Sequence, residues 1–130
     1  MEDRYLNYQE TLNRLVSEYK KYDSLFVAFD FDNTVFDFHN VGDTFPKIEQ
    51  LLIDLKNINC KLILFTGNED NKLVSAIEYC KNNGYPPDYV NENLIMNTRK
   101  PYYNILLDDR AGLEYTYNLC LDLLKIIREL

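Results

Sequence analysis

Short apolar runs alternating with segments of helical periodicity constrain this chain more than any other feature. The runs occupy residues 25–29, 60–65 and 103–107, with a less regular one formed by Tyr89-Val90 and Leu94-Ile95. Each of the regular runs is long enough for a buried strand and too short for a helix. Between them, Phe45, Ile48, Leu51, Leu52 and Leu55 repeat at helical spacing from residue 43 to about 57, and Leu73, Ala76, Ile77 and Cys80 do so from about Asn68 to Gly84. Asp43 or Thr44 is the expected cap of the first of these helices, with Pro46 in its first turn, and Asn68 is the expected cap of the second. Glu69 and Asp70 suit the positive end of its dipole, and Pro86-Pro87 follow its stop. A closing helix is expected over 113–127. An opening one is expected from Tyr5, Tyr8, Leu12, Leu15, Val16 and Tyr19, packed on the sheet as an N-terminal addition over 1–22.

Alternating strands and helices imply an α/β fold, a three-layer, Rossmann-like parallel sheet with helices on both faces. At 130 residues the chain holds one such domain, with its core over 25–130, and no second one. In parallel sheets of this kind ligands bind beyond the carboxyl ends of the strands. Asp30 and Asp32 follow the first run, Thr66 the second, and Asp108 and Asp109 the last. The polar groups of interest therefore fall on one edge. An isolated Asp108-Asp109 pair would read as a solvated turn. Beside Asp30 and Asp32 it reads as part of a metal site, because converging carboxylates repel unless a cation shares them. Oxygen-only donors favour a hard ion such as Mg²⁺, which binds through one or two carboxylates plus a substrate phosphate.

Charge and cysteine usage narrow the function. The net charge of −7 repels polynucleotide backbones, and no basic run offsets it, so a long nucleic acid is not the expected partner. Cys60, Cys80 and Cys120 are odd in number, far apart and set in apolar patterns, which reads as reduced core thiols. The acidic opening reads as no signal peptide, and no apolar run nears the ~20 residues needed to span a bilayer. A cytoplasmic protein without membrane contact is the expectation.

The order of these groups resembles the haloacid dehalogenase (HAD) superfamily of phosphohydrolases. Its first motif is matched by Asp30-Phe-Asp32-Asn-Thr34 after an apolar strand, and its second by the run ending in Thr66-Gly67-Asn68. The fourth is matched by Asp108-Asp109. The third, a lysine ahead of the last strand, is best met by Lys100, with Lys72 and Lys81 as alternatives on a helix that shows them to water. Asn33 stands where the family often has Gly, and Asn tolerates the left-handed backbone that such a position takes.

The resemblance implies a Mg²⁺-dependent phosphatase with an aspartyl-phosphate on Asp30 and with Asp32 as general acid and base. It also implies that Thr66, the Gly67 and Asn68 N–H groups and Lys100 hold the phosphoryl group. The metal would be held by Asp30, the Asp32 carbonyl, Asp108 and Asp109. Only 35 residues separate Asp30 from Thr66, and 33 separate Thr66 from Lys100, which leaves no room for a cap domain. Capless members act on phosphorylated macromolecules or borrow a lid from a neighbouring subunit, so the expected partner is a phosphorylated small molecule or macromolecule, with a homo-oligomer as the lid substitute. The competing reading is a receiver-like or catalytically idle Mg²⁺- and phosphate-binding regulatory domain. Receivers carry their acidic pair first, whereas here it comes last. Among the weaker signals, His39 and Arg110 are read as a solvated loop residue and a partner in an ion pair.

Overall fold

The computed structural model describes residues 3–40, 42, 45–92 and 101–130. The elements run α1 (Tyr8–Tyr22), β1 (Phe26–Phe29), α2 (Phe45–Asn57), β2 (Lys61–Leu64), α3 (Asp70–Asn82), β3 (Tyr89–Val90), β4 (Ile105–Leu107) and α4 (Leu113–Arg128). All four strands are parallel, in the order β3-β2-β1-β4. This is the expected α/β, Rossmann-like class.

Register follows from the apolar runs. Phe29 lies opposite Leu64 on one side and Leu107 on the other, and Val27 opposite Leu62 and Ile105. These six side chains share one sheet face and one core cluster. That cluster also takes in Leu12 and Leu15 of α1, Leu51 and Leu55 of α2, Cys80 of α3 and Leu123 of α4. The alternate positions Ala28 and Ile63 are fully buried as well, so the centre of the sheet is covered on both faces, as parallel sheets require. Tyr102 and Tyr103 meet Phe26 and Phe65 edge-on at the second face. The residues leading into β4 thus pack through their rings, and regular pairing starts only at Ile105 rather than at Tyr103.

Two local expectations shift. The opening helix starts at Tyr8, where the Asn7 side chain accepts the Glu10 N–H, and Tyr5 lies outside it and exposed. α1 packs on α4, where the Tyr8 hydroxyl donates to Asp122 at 2.6 Å, and its Leu12 and Leu15 join the core cluster of the strands. Glu69, not Asn68, occupies the N-cap of α3, and its side chain makes no capping bond. The Asn68 N–H is instead donated to Thr66 Oγ1 at 3.1 Å, which holds residue 68 in a turn before the helix. The caps expected at Asp43 and Thr44, and the strand residues Leu94 and Ile95, lie outside the described residues.

All three cysteines are free and buried, and burial pushes their thiols up, Cys60 to about 11 and Cys80 and Cys120 to about 12. Thiols held protonated in a core are poor nucleophiles. No described helix is long and apolar enough to cross a membrane.

The core should carry the stability. Leu52→Ala, at a position with no exposed surface, should cost about 2–5 kcal/mol in urea unfolding. Leu121→Ala on α4, where the side chain is 41% exposed, should stay within about 0.5 kcal/mol. Equal losses at the two sites would contradict the assignment of the core.

Candidate active site

From β1 the chain steps to β2 and then β3 on one side, and it returns to the other side of β1 for β4. The strand order therefore changes direction between β1 and β4, and a crevice opens there at the carboxyl ends. Asp30 follows β1, its N–H donated to the Leu107 carbonyl at 2.9 Å, and Asp108 follows β4 directly. One carboxylate oxygen each from Asp30, Asp108 and Asp109 lies within 4.8 Å of the other two. No structural detail places the Asp32 carboxylate in that group. It borders a groove on the α3 side.

Residues 31–36 form a tight turn that sets Asp32 in place. The Phe31 carbonyl accepts N–H bonds from Val35 and Phe36, and the Asn33 N–H is donated back to the Phe36 carbonyl at 2.7 Å. Closing this loop puts Asn33 at φ 61°, the left-handed region expected for it. Phe31 and Val35 are buried and anchor the turn from inside.

Thr34 is the residue whose part the sequence did not reveal. It is buried, with 1% exposure. Its Oγ1 accepts the Asp109 N–H at 3.1 Å and faces Asp109 Oδ1 at 3.4 Å. This hydroxyl ties the loop after β1 to the loop after β4 and so fixes the spacing of the carboxylates. The signal available was its place as the closing residue of the Asp30-Phe-Asp32-Asn-Thr34 stretch, which was read for its aspartates and gave Thr34 no role. The second loop is fixed in a similar way. Asn91, at the end of β3 with φ 52°, accepts the Thr66 N–H on its side chain at 2.9 Å.

The electrostatics follow from burial and like charge. Half-burial pushes the Asp30 carboxyl up to about 6, the charge of Asp108 adds to this, and a hydrogen bond from the Phe31 N–H opposes it, with Asp109 raising it further. In the absence of a cation this carboxyl thus holds its proton well above the ordinary carboxylate range. Three oxygen donors under such mutual repulsion fit a hard divalent cation, which would remove its cause.

Among the expected phosphoryl-binding groups, Thr66 stands at the same sheet edge beyond β2, and Gly67 is exposed beside it. The Asn68 N–H already bonds Thr66 Oγ1, so its expected service to a phosphoryl group would require that bond to open. Lys100 lies outside the described residues. Lys72 is exposed in the first turn of α3 and lines the groove beside Asp32 and Asn68, while Lys81 is exposed at the far end of that helix. His39 is exposed, as expected, with its ring against Phe38. Arg110 departs from expectation. Among the described residues it makes no ion pair, and its backbone N–H is donated to Asp108 Oδ1 at 2.9 Å.

No family model and no curated protein matches the chain. A solved structure described as a conserved protein coded by a locus of Bacteroides thetaiotaomicron is similar, with a TM-score of 0.61 and 23% identity. The likeness covers 82% of this chain and 93% of that one, and it speaks for the fold alone.

Two outcomes test this geometry. Because the folded-state pKa of Asp30 lies above its ordinary value of 3.8, the native chain binds the extra proton between pH 3.8 and about 6. Stability without metal should therefore fall as pH rises through that window. In Asp30→Asn the fall should shrink, so that the variant melts above wild type at pH 7 but not at pH 4. Thr34→Val keeps the shape and removes both contacts to Asp109, and it should lower stability by about 1 kcal/mol in urea unfolding.

Proposed function

We propose that this chain is a Mg²⁺-dependent phosphate monoester hydrolase of the HAD type, working through an aspartyl-phosphate on Asp30. The observation that carries the reading is the convergence of the Asp30, Asp108 and Asp109 carboxylates at the point where the strand order reverses. Asp32 stands two residues on, outside the cluster and free to do different work.

The steps follow from those positions. An Asp30 oxygen attacks phosphorus, and the ester oxygen leaves with a proton from Asp32. Asp32 then takes a proton from a water, which attacks the same phosphorus and returns Asp30 as a carboxylate and the product as inorganic phosphate. Thr66, the Gly67 N–H and a lysine, Lys100 by resemblance, would neutralise the transferring group. Mg²⁺ bound by Asp30, the Asp32 carbonyl, Asp108 and Asp109 would keep Asp30 ionised and offset charge on the phosphoryl oxygens. The reading takes the protein to be cytoplasmic and acting on a phosphorylated small molecule or macromolecule.

p-Nitrophenyl phosphate hydrolysis with Mg²⁺ tests this directly. Asp30→Asn should lose roughly 10³-fold or more in kcat/KM. Asp32→Asn should lose on the order of 10²–10⁴-fold on an alkyl phosphate, and less on the nitrophenyl ester, whose leaving group needs no proton. Full activity in Asp30→Asn, or turnover indifferent to Mg²⁺, would sink the hydrolase reading.

A further inference from the structure

Beside Asp32 the surface falls into a groove of about 410 Å³. One wall is aromatic, formed by Phe31, Phe36 and Phe38 with Tyr79 against them. Phe36 rests one ring face on Phe31, with centroids 5.2 Å apart and planes at 9°, and Tyr79 meets both rings edge-on. The three rings hold one another in place. Phe36 still leaves 36% of itself exposed and Phe38 leaves 62%, and the two lie together on this wall rather than singly. The other wall is a stripe of α3, where Asn71, Lys72 and Ser75 face the rings and Tyr79 follows one turn later. Nine residues of helix, from Asn71 to Tyr79, rise about 12 Å along this wall.

The position of the groove says what part of a substrate would enter it. Asp32 lines its near end, together with Asn68 of the loop after β2. In the hydrolase reading, on which this inference rests, Asp32 protonates the leaving oxygen, so the group beyond that oxygen extends into the groove. Its walls favour a flat apolar ring over a polyol, since aromatic faces offer stacking and few hydrogen bonds. Its length exceeds what a ring attached directly to the ester oxygen would use, and it accommodates a ring carried one sugar farther away. Asn71 and Ser75, one turn apart on α3, supply amide and hydroxyl groups for the edge of such a ring. The chain's charge of −7 disfavours a polyphosphate strand, and a single phosphate at the sheet edge would be offset by the cation that Asp30, Asp108 and Asp109 would share.

We propose that the groove is the leaving-group site and that its occupant is a nucleoside, which makes nucleoside monophosphates the substrate class. The ring stacks on the exposed aromatic wall with Phe36 as its main contact, and the α3 stripe reads its edge.

Four substrates compared with Mg²⁺ test the assignment: adenosine 5′-monophosphate, uridine 5′-monophosphate, glycerol phosphate and p-nitrophenyl phosphate. The readout is the ratio of nucleotide to glycerol phosphate kcat/KM in wild type, Phe36→Ala and Ser75→Trp. Ser75 is exposed, so the tryptophan fills the groove without entering the core and decides the matter should Phe36→Ala fail to fold. The ratio should be tenfold or more in wild type and fall about tenfold in either variant, the loss expected for one stacking contact. A wild-type ratio near one, a ratio unmoved by Ser75→Trp, or a preference for the nitrophenyl ester over both nucleotides overturns the nucleoside assignment while leaving the hydrolase intact. If no ester is turned over, the hydrolase reading falls, and calorimetric titration with the two nucleotides judges the groove alone. Binding that Ser75→Trp abolishes upholds the occupant, and no binding to wild type overturns it.

Discussion

The rest of the site depends on the pairing of β1 with β4. With Phe29 in register with Leu107, the next residue on each strand is an aspartate, and parallel direction sends both out of the same edge. Hydrophobic burial enforces this, since Val27, Phe29 and Leu107 have no exposed surface and each contributes about 1.5–3 kcal/mol by leaving water. Against that, the carboxylates of Asp30, Asp108 and Asp109 repel, and half-burial weakens the screening of water. The core wins, and the repulsion remains stored at the carboxyl ends of the strands. A proton on Asp30 or a shared cation would relieve it.

The turn over residues 31–36 does the second piece of work. It is held by its own backbone bonds and by the buried Phe31 and Val35, so it needs little outside help. That rigidity lets Thr34 reach across to Asp109 from one side while Asp32 faces the groove on the other. Phe36, which the turn brings back over Phe31, forms part of the groove wall. One six-residue turn thus spaces the three clustered carboxylates, sets Asp32 beside the groove and shapes the groove's aromatic wall. Asn91 gives the neighbouring loop a comparable anchor by accepting the Thr66 N–H.

How much of this could be read in advance differs residue by residue. Asp30, Thr66, Asp108 and Asp109 were legible as occupants of one edge because apolar runs mark strand ends and parallel topology aligns those ends. Asn33 was legible because left-handed backbone selects among residue types, and it stands at φ 61°. The cap of α3 was misread at Asn68 because the Thr66 hydroxyl accepts the Asn68 N–H and holds residue 68 in the loop, so that the helix starts only at Asp70. Thr34 was matched as a motif position but given no role, because its part is a bond to a residue 75 positions away, which spacing cannot show. The aromatic wall escaped notice for the same reason. Phe31, Phe36 and Tyr79 have unremarkable neighbours in the chain, and only folding sets their rings together.

By itself, then, the sequence determined the α/β class, the positions of the strands and the list of groups at their carboxyl ends. Apolar periodicity is a local property, and local hydrophobic patterning is enough to decide which residues leave water. Only the tertiary structure decided which of those groups meet. It drew Asp30, Asp108 and Asp109 into one cluster and left Asp32 outside it, because strand order and register are set by the packing of the whole core. Distances between side chains from different strands, and the charge effects that depend on them, exist only once that core has formed.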